Sequence, residues 1–521
     1  MIFNARHNPN DSADVCLILE GTYPFVRGGV STWVKQLIDG MPDLTFSIIF
    51  LGGVDGDYSE PAYDIPDNVL HIEVHLLLGT SEVEEEKKPF WKIRKSQAKK
   101  FELNDKLHRY LRVRKGEVDE GLTRAFAKLL TGKDSITEAE LQTSKFAWNT
   151  IREKYSQAPA GLDFNHYFWT VRAIHSPLFK LADVAKNAPK ADVYHSVSTG
   201  YAGFLGALLS QKSEKPYVVS EHGIYTKERE IDLAQVSWIP EQMDPFRVGL
   251  SEEMNYLRQV WIRFFQSLGR MTYASADRLF TLYEGNRQRQ LEDGAPADKL
   301  TIIPNGVDVP RYRRLRRTSD AAVPPVLALI GRVVPIKDIK NFIRAMRIVS
   351  SKVPNAQGWI IGPQDEDPAY TQECKTLVES LDLGGVVKFL GFQNPDDIFP
   401  KIGLTVLTSV SEGQPLVVLE GYAAGIPTIT TDVGSCRELV LGLGAEDEKL
   451  GPAGAVVPIA NPAAFATSAI DLLLDRTLWQ ESSKSAIARV EKYYDQADMI
   501  GRYRSVYMGA FNGANSWKEA S

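Results

Sequence analysis

The stretch Ala328-Leu-Ile-Gly-Arg-Val-Val-Pro-Ile-Lys-Asp-Ile-Lys340 decides the fold. An apolar run over Val326–Gly331 has no polar face, as a parallel strand covered by helices on both sides requires. A short loop then carries Arg332 and Lys337 into the start of a helix. The same strand, loop and helix rhythm returns downstream at Gly358–Gly362, Val386–Leu390, Leu404–Ser409, Pro427–Thr431 and Ala455–Val457. Upstream it runs through Val15–Glu20, Phe46–Gly52, Asp192–Ser198, Tyr217–Gly223, Arg278–Tyr283 and Leu300–Pro304. Two doubly wound parallel sheets, an α/β architecture, follow from that repetition.

Between the two sets lies Arg311-Tyr-Arg-Arg-Leu-Arg-Arg-Thr-Ser-Asp-Ala-Ala-Val-Pro-Pro325, basic and closed by a proline pair, which reads as a solvated linker. The division expected is a first domain over residues 1–315, a second over 316–490, and a terminal segment over 491–521. Residues from about 81 to 177 break the strand rhythm and read as a helical insertion in the first domain. That insertion opens with the charge run Glu82-Val-Glu-Glu-Glu-Lys-Lys88 and the basic, aromatic Pro89-Phe-Trp-Lys-Ile-Arg-Lys95, read as an exposed helical face.

The chain has 521 residues, 44% hydrophobic and 24% charged, which excludes disordered, collagenous and small disulfide-stapled classes. Its 60 Lys and Arg stand against 66 Asp and Glu, a net charge of −6. That balance argues against a nucleic-acid partner, and any anionic ligand must meet a local basic site. Cys16, Cys374 and Cys436 are far apart and lack zinc or redox spacing, which fits a reducing compartment. With no apolar run of membrane-spanning length and a polar start, a cytoplasmic location is expected, with any membrane attachment supplied by partners.

Four constellations could carry chemistry. In Leu19-Glu-Gly-Thr-Tyr-Pro-Phe-Val-Arg-Gly-Gly-Val-Ser-Thr-Trp-Val-Lys-Gln-Leu37, the pair Gly28 and Gly29 precedes a helix whose first N–H groups suit phosphate; a tight structural turn reads the same pair as well. Arg332 and Lys337 occupy the loop beyond a strand's carboxyl end, where two cations can neutralise a diphosphate, or else pair with acids such as Asp338. In Ser411-Glu-Gly-Gln-Pro-Leu-Val-Val-Leu-Glu420, Pro415 suits a first helical turn. Glu412 then faces a sugar beyond the helix start, Glu420 accepts from a ribose diol, and the N–H groups of Leu416 and Val417 point at phosphate. All eight histidines lie at or before His222, which stands at a strand end before Gly223; His195 is more at home packed within its sheet. Asp55-Gly-Asp57 and Asp365-Glu-Asp367 have the spacing of metal sites but are common loop tripeptides.

Gly28-Gly-Val, Pro304-Asn-Gly-Val-Asp308, Gly331-Arg with Lys337, Glu412 with Glu420, and Gly425-Ile-Pro-Thr with Val433-Gly and Glu438 together resemble the retaining glycosyltransferases of family 4. The resemblance implies the GT-B fold, two Rossmann-like domains facing a cleft, with the terminal helix crossing back to the first. It also implies UDP-glucose as donor, retention at the anomeric carbon, and no cofactor or metal. Carried over by position, Arg332 and Lys337 would hold the diphosphate, Glu420 the ribose, and Glu412 the transferred sugar. Gly29 would approach phosphate, His222 would touch the sugar, and uracil would rest near Phe389–Phe392. Within the family, the opening Ile18–Trp33 and the run Ser220–Arg229 are similar to soluble enzymes of Pel exopolysaccharide synthesis. That likeness implies a polysaccharide or lipid-linked acceptor and inner-membrane components of the Pel synthesis complex as partners. Hexose transfer from a UDP-sugar is therefore the expected activity. The alternative is a nucleotide-sugar-binding subunit of a membrane polysaccharide synthase without turnover of its own.

Overall fold

The computed structural model describes residues 12–53, 58–77, 100–106, 120–133, 135–235, 248–318 and 321–512. The acids Asp55 and Asp57 and the charged run 82–95 lie outside these residues. Two compact units divide the chain: the first holds the residues up to Thr281, then Arg287–Ile302 and those from Arg504 on, the second Leu282–Asn286 and Ile303–Tyr503.

The first unit is built on seven parallel strands: β1 (Ala13–Glu20), β2 (Phe46–Gly52), β3 (Val69–Leu76), β4 (Ala191–Ser196), β5 (Tyr217–Glu221), β6 (Arg278–Thr281) and β7 (Leu300–Ile302). They lie in the order β3-β2-β1-β4-β5-β6-β7, so the winding reverses between β1 and β4. Six of these strands are legible as apolar runs, but β3 is not. Its sequence, Val-Leu-His-Ile-Glu-Val-His-Leu, alternates because it is the sheet's edge and needs only one apolar face. Glu73 there takes hydrogen bonds from His71 at 2.9 Å and His75 at 3.0 Å. Burial pushes its carboxyl up, yet the two imidazoles win and hold it at about 2.

Helices Glu120–Thr131, Phe164–Asn187, Tyr201–Ser213 and Val248–Ser275 pack on one face of this sheet in a single apolar core. On the other face, Gly29–Asp39 buries Trp33, Val34, Leu37 and Ile38. Spacing of three and four residues puts those side chains on one stripe. His195, on β4, bonds Tyr507 Oη at 2.7 Å and Ser220 Oγ at 2.8 Å and is fully buried. Tyr507 belongs to the last helix, Gln496–Phe511, whose residues from Arg504 on are part of the first unit.

The second unit has six parallel strands: β8 (Val326–Ile330), β9 (Gln357–Ile361), β10 (Val387–Gly391), β11 (Leu404–Leu407), β12 (Thr428–Thr431) and β13 (Gly454–Val457). Their order is β10-β9-β8-β11-β12-β13, with the reversal between β8 and β11. Ile339–Ser350, Pro368–Ser380 and Pro462–Leu474 fill one side, and Leu416–Ala423 and Arg476–Tyr493 the other. Arg489, fully buried, donates to Asp447 Oδ1 at 2.7 Å, to the Asp447 carbonyl at 3.1 Å, to the Leu439 carbonyl at 3.3 Å and to the carbonyls of Val440 and Gly451 at 3.0 Å. Five donors so matched are what permits a guanidinium inside a core.

The basic run at 311–317 is not the solvated linker expected from its composition. Tyr312 is 4% exposed within the core, Arg311 and Arg314 clasp Asp396 at 3.2 Å, and Arg313 and Arg316 clasp Glu491 at 2.8 and 2.9 Å. Arg317 donates to the carbonyl of Pro400 at 2.8 Å. The acids that neutralise the run are 80 or more positions away in sequence, beyond the reach of local pattern.

Burial holds both His195 and His222 at about 3 in the folded chain, against an ordinary value of 6.5. Below about pH 6.5 the unfolded chain binds more protons than the folded one, so stability present above that value is lost as pH falls towards 3. The melting temperature is expected to drop between about pH 7 and pH 5, and to drop less steeply in His195→Gln; calorimetry across that range checks both.

Candidate functional site

In an open parallel sheet, ligands bind beyond the strands' carboxyl ends where the winding reverses, because neighbouring loops diverge there and leave a crevice. The second unit places Lys337 and Glu412 at that point, on the loops after β8 and β11. Lys337 Nζ lies 2.5 Å from Glu412 Oε1, with the side chains 21% and 12% exposed.

Several bonds fix those loops. Val410 N donates to Ile336 O at 2.9 Å and Thr408 Oγ1 to Lys337 O at 2.8 Å. Asp338, in the left-handed region at φ 42°, caps the helix Ile339–Ser350 rather than pairing with either cation, accepting from Asn341 N at 3.3 Å. Ser435 N donates to Gly413 O at 3.0 Å. Gly434 has φ +54°, and a Cβ there would meet Glu412 O at 2.3 Å, so only glycine permits this approach. Gln414 closes the loop from below: its Oε1 accepts from Asn305 N at 2.6 Å, and its carbonyl from Asn305 Nδ2 at 3.1 Å.

Pro415 caps the helix Leu416–Ala423, so Leu416 and Val417 occupy its first turn, where N–H groups lack intrahelical acceptors. Glu420 sits about a turn further on. Burial raises its carboxyl, opposed by a hydrogen bond from Tyr312 and the charge of Arg311. Glu438 is likewise raised by burial and accepts from the backbone N–H groups of Glu284 and Gly285. Arg332 is placed differently from Lys337: its side chain is 49% exposed and pairs with Glu366, on the loop after β9, at 2.5 Å. Phe392, just past β10, is 72% exposed.

Glu366, Asn305 and Tyr312 were missed as partners by sequence reasoning. The tripeptide Asp365-Glu-Asp367 supplies Glu366 to Arg332 and Asp367 as the cap of Pro368–Ser380, accepting from Tyr370 N at 2.9 Å. Among the described residues no group of three or more His, Cys, Asp or Glu is placed to hold a metal ion.

At the first unit's own reversal point lies a pocket of about 600 Å³, lined by residues that include Glu20, Ser198, His222, Arg229, Trp261 and Phe265. Glu20 accepts from the N–H groups of Tyr201 at 3.1 Å and Ala202 at 3.3 Å, at the start of Tyr201–Ser213, and from Tyr225 Oη at 2.8 Å. Its carboxyl is raised by burial against those bonds. His222 lies against Trp33, ring centroids 4.4 Å apart, and is neutral above about pH 3, so it offers this pocket a polar ring and not a charge. Next to it Glu221, 1% exposed, takes four bonds: from Thr199 at 2.9 Å, Tyr225 N at 3.0 Å, Tyr273 at 2.7 Å and Gln290 at 2.7 Å. They fix the turn that carries His222. Gly28 and Gly29 are exposed at the start of Gly29–Asp39, and Gly28 N reaches Tyr63 Oη at 3.4 Å. Val30, not the glycine pair, lines the pocket.

No helix among the described residues is long and apolar enough to cross a membrane. Residues 13–298 match the family described as a domain of unknown function, DUF3492, and residues 315–492 match glycosyl transferases group 1. The D-inositol 3-phosphate glycosyltransferase of Acidothermus cellulolyticus is 28% identical over 237 residues, 42% of this chain and 51% of that protein. The protein of the same name from Rhodococcus erythropolis is 31% identical over 175 residues, 31% of this chain and 39% of that protein. The chain spans about half the length of such curated relatives. Among solved structures, Anabaena Alr3699/HepE in complex with UDP-glucose is similar at a TM-score of 0.55 and 14% identity, over 95% of this chain and 99% of that one. Sucrose-phosphate synthase from Thermosynechococcus elongatus is similar at 0.53 and 16%, over 96% and 99%. At those identities the likeness establishes the fold, two Rossmann-like domains of the GT-B class. With more than half its length matched by one family, the chain belongs to the family of the DUF3492 domain, joined to a glycosyl transferases group 1 domain.

Proposed function

We propose that the chain is a retaining glycosyltransferase that moves a hexose of the glucose type from a UDP-sugar to a growing exopolysaccharide or lipid-linked acceptor, without a metal ion. The observation that carries this reading is the half-buried Lys337–Glu412 pair at the strand-order reversal of the second unit, next to the first turn of Leu416–Ala423. A cation, a helix tip and a buried acid, Glu420, are the parts that a nucleoside diphosphate joined to a sugar needs in sequence. Group 1 relatives and a structural neighbour solved with UDP-glucose support the donor class.

In the step proposed, the bond from the sugar's anomeric carbon to the β-phosphate oxygen breaks and the acceptor oxygen bonds to that carbon on the same face. The acceptor's hydroxyl proton passes to the departing phosphate. Lys337 and Arg332 take up the charge of the leaving diphosphate, and the N–H groups of Leu416 and Val417 meet its oxygens. Glu412, relieved of Lys337, accepts from sugar hydroxyls, and Glu420 from the ribose. In the first unit the strand-end pocket is the acceptor side, where His222 serves as a neutral hydrogen-bonding group and Glu20 as an acceptor. Gly28 and Gly29 leave their helix start open to phosphate. The likeness of Ile18–Trp33 and Ser220–Arg229 to PelF supports a role in Pel exopolysaccharide synthesis, at the inner face of the cytoplasmic membrane beside membrane-bound components of that machinery.

Release of UDP from UDP-glucose in the presence of candidate acceptors tests the reading, with a UDP-sugar panel ranked by thermal shift. Lys337→Ala and Arg332→Ala are each expected to lose about 100-fold or more in rate, and wild-type turnover in either overturns the assignment. Glu420→Ala is expected to weaken UDP binding about tenfold by calorimetry, with a smaller effect on turnover at saturating donor.

A further inference from the structure

Away from the strand ends, the helical layer of the first unit borders a second cavity, of about 140 Å³ and open on one side. Most of its wall is apolar, including Leu141, Ile151, Val171, Ile174, Val260 and Phe264. A cavity of this size accommodates one benzene-sized group. Three cations also line it, Lys154, Arg172 and Arg263, against one carboxylate, Glu138.

Two of the cations are partly engaged. Lys154 Nζ lies 3.3 Å from Asp105 Oδ1. Arg172 stacks over the rings of Phe168 and Trp169 at 5.4 and 5.5 Å and donates to Gln142, whose amide donates to Glu138 at 2.7 Å. Arg263 differs: its Nε is buried with no hydrogen-bond partner. A buried guanidinium N–H left unsatisfied is costly, and an anionic group is the partner that recovers most.

The helix Val248–Ser275 forms one wall. It turns Tyr256, Val260, Arg263 and Phe264 to this cavity and Trp261 and Phe265 to the strand-end pocket. Residues four apart share a helix face and those one apart do not, so a single helix serves both spaces.

We propose that this cavity is a second ligand site, specific for a small acid with one ring or a branched aliphatic group, and that its occupant steadies the helix that also walls the strand-end pocket. The apolar part fills the space among Ile151, Val171 and Val260, and the anionic head meets Arg263. This reading does not depend on the transfer chemistry proposed above, because both of its readouts are made without a sugar donor.

Calorimetry with phenylacetate, and with benzylamine as the cation of similar size, tests it on the full chain. Saturable binding of phenylacetate is expected, at least tenfold weaker for benzylamine and for phenylacetate in Arg263→Met, and abolished in Val171→Trp, which fills the void. Should Val171→Trp fail to fold, as circular dichroism would reveal, Ile151→Phe fills it from another wall. Amide exchange across residues 256–265 is expected to slow when phenylacetate binds. No saturable binding, equal binding of benzylamine, or undiminished binding in the filled variant overturns the site; unchanged exchange overturns the shared wall.

Discussion

A lysine and a glutamate largely withdrawn from water remain paired at 2.5 Å only if the chain on both sides is held, since the ordering and desolvation of two long side chains otherwise consume the Coulombic gain. Much of the second unit is arranged to that end. Parallel strands β8 and β11 are neighbours although two further strands lie between them in sequence, so their loops emerge side by side. The bond from Val410 to Ile336, the press of Gly434 on Glu412 and the two-pronged grip of Gln414 on Asn305 then lock each loop. The site is a consequence of winding order first and of side-chain chemistry second.

The first unit repeats the winding reversal with a different chemistry. At the ends of β1 and β5 the acids Glu20 and Glu221 take hydrogen bonds from tyrosine, threonine, glutamine and backbone, and Glu20 also feels the charge of Arg229, whereas Glu412 is ion-paired directly with a lysine. Neutral donors satisfy a carboxylate without cancelling its charge, so these acids fix backbone turns while leaving the pocket polar.

Local pattern carried the sequence reading as far as local physics reaches. Twelve of the thirteen strands were legible as short apolar runs, edge strands β7, β10 and β13 among them; β3 escaped because two histidines and a glutamate alternate through it and look like a loop's polarity. The Lys337, Glu412 and Glu420 spacing located one loop cluster because strand, loop and helix are adjacent in sequence. Arg332 shares a loop with Lys337, but its partner Glu366 comes from the next βα unit, where no local pattern points to it. The basic run at 311–317 misled for the same reason: composition announces exposure, while Asp396 and Glu491 supply counter-charges that no window of sequence contains.

The pairing of Lys337 bears on how such a site can hold a diphosphate at all. Burying a lone ammonium costs several kcal/mol, roughly the scale of a domain's whole stability margin, so a phosphate cradle cannot simply wait with a bare cation. Glu412 meets that cost, and in the transfer proposed a phosphate oxygen taking its place would keep the lysine paired. The displaced glutamate then needs a donor of its own, and at a pre-helical loop the nearest chemistry a nucleotide-sugar brings is a sugar hydroxyl. One ion pair would thus exchange for two charge-assisted contacts, each with a different end of the ligand. On the function proposed the exchange would discriminate: a free diphosphate would relieve only the lysine and strand the acid, whereas the intact donor would satisfy both. Selectivity for the sugar-bearing nucleotide is in this view built into the resting pair itself.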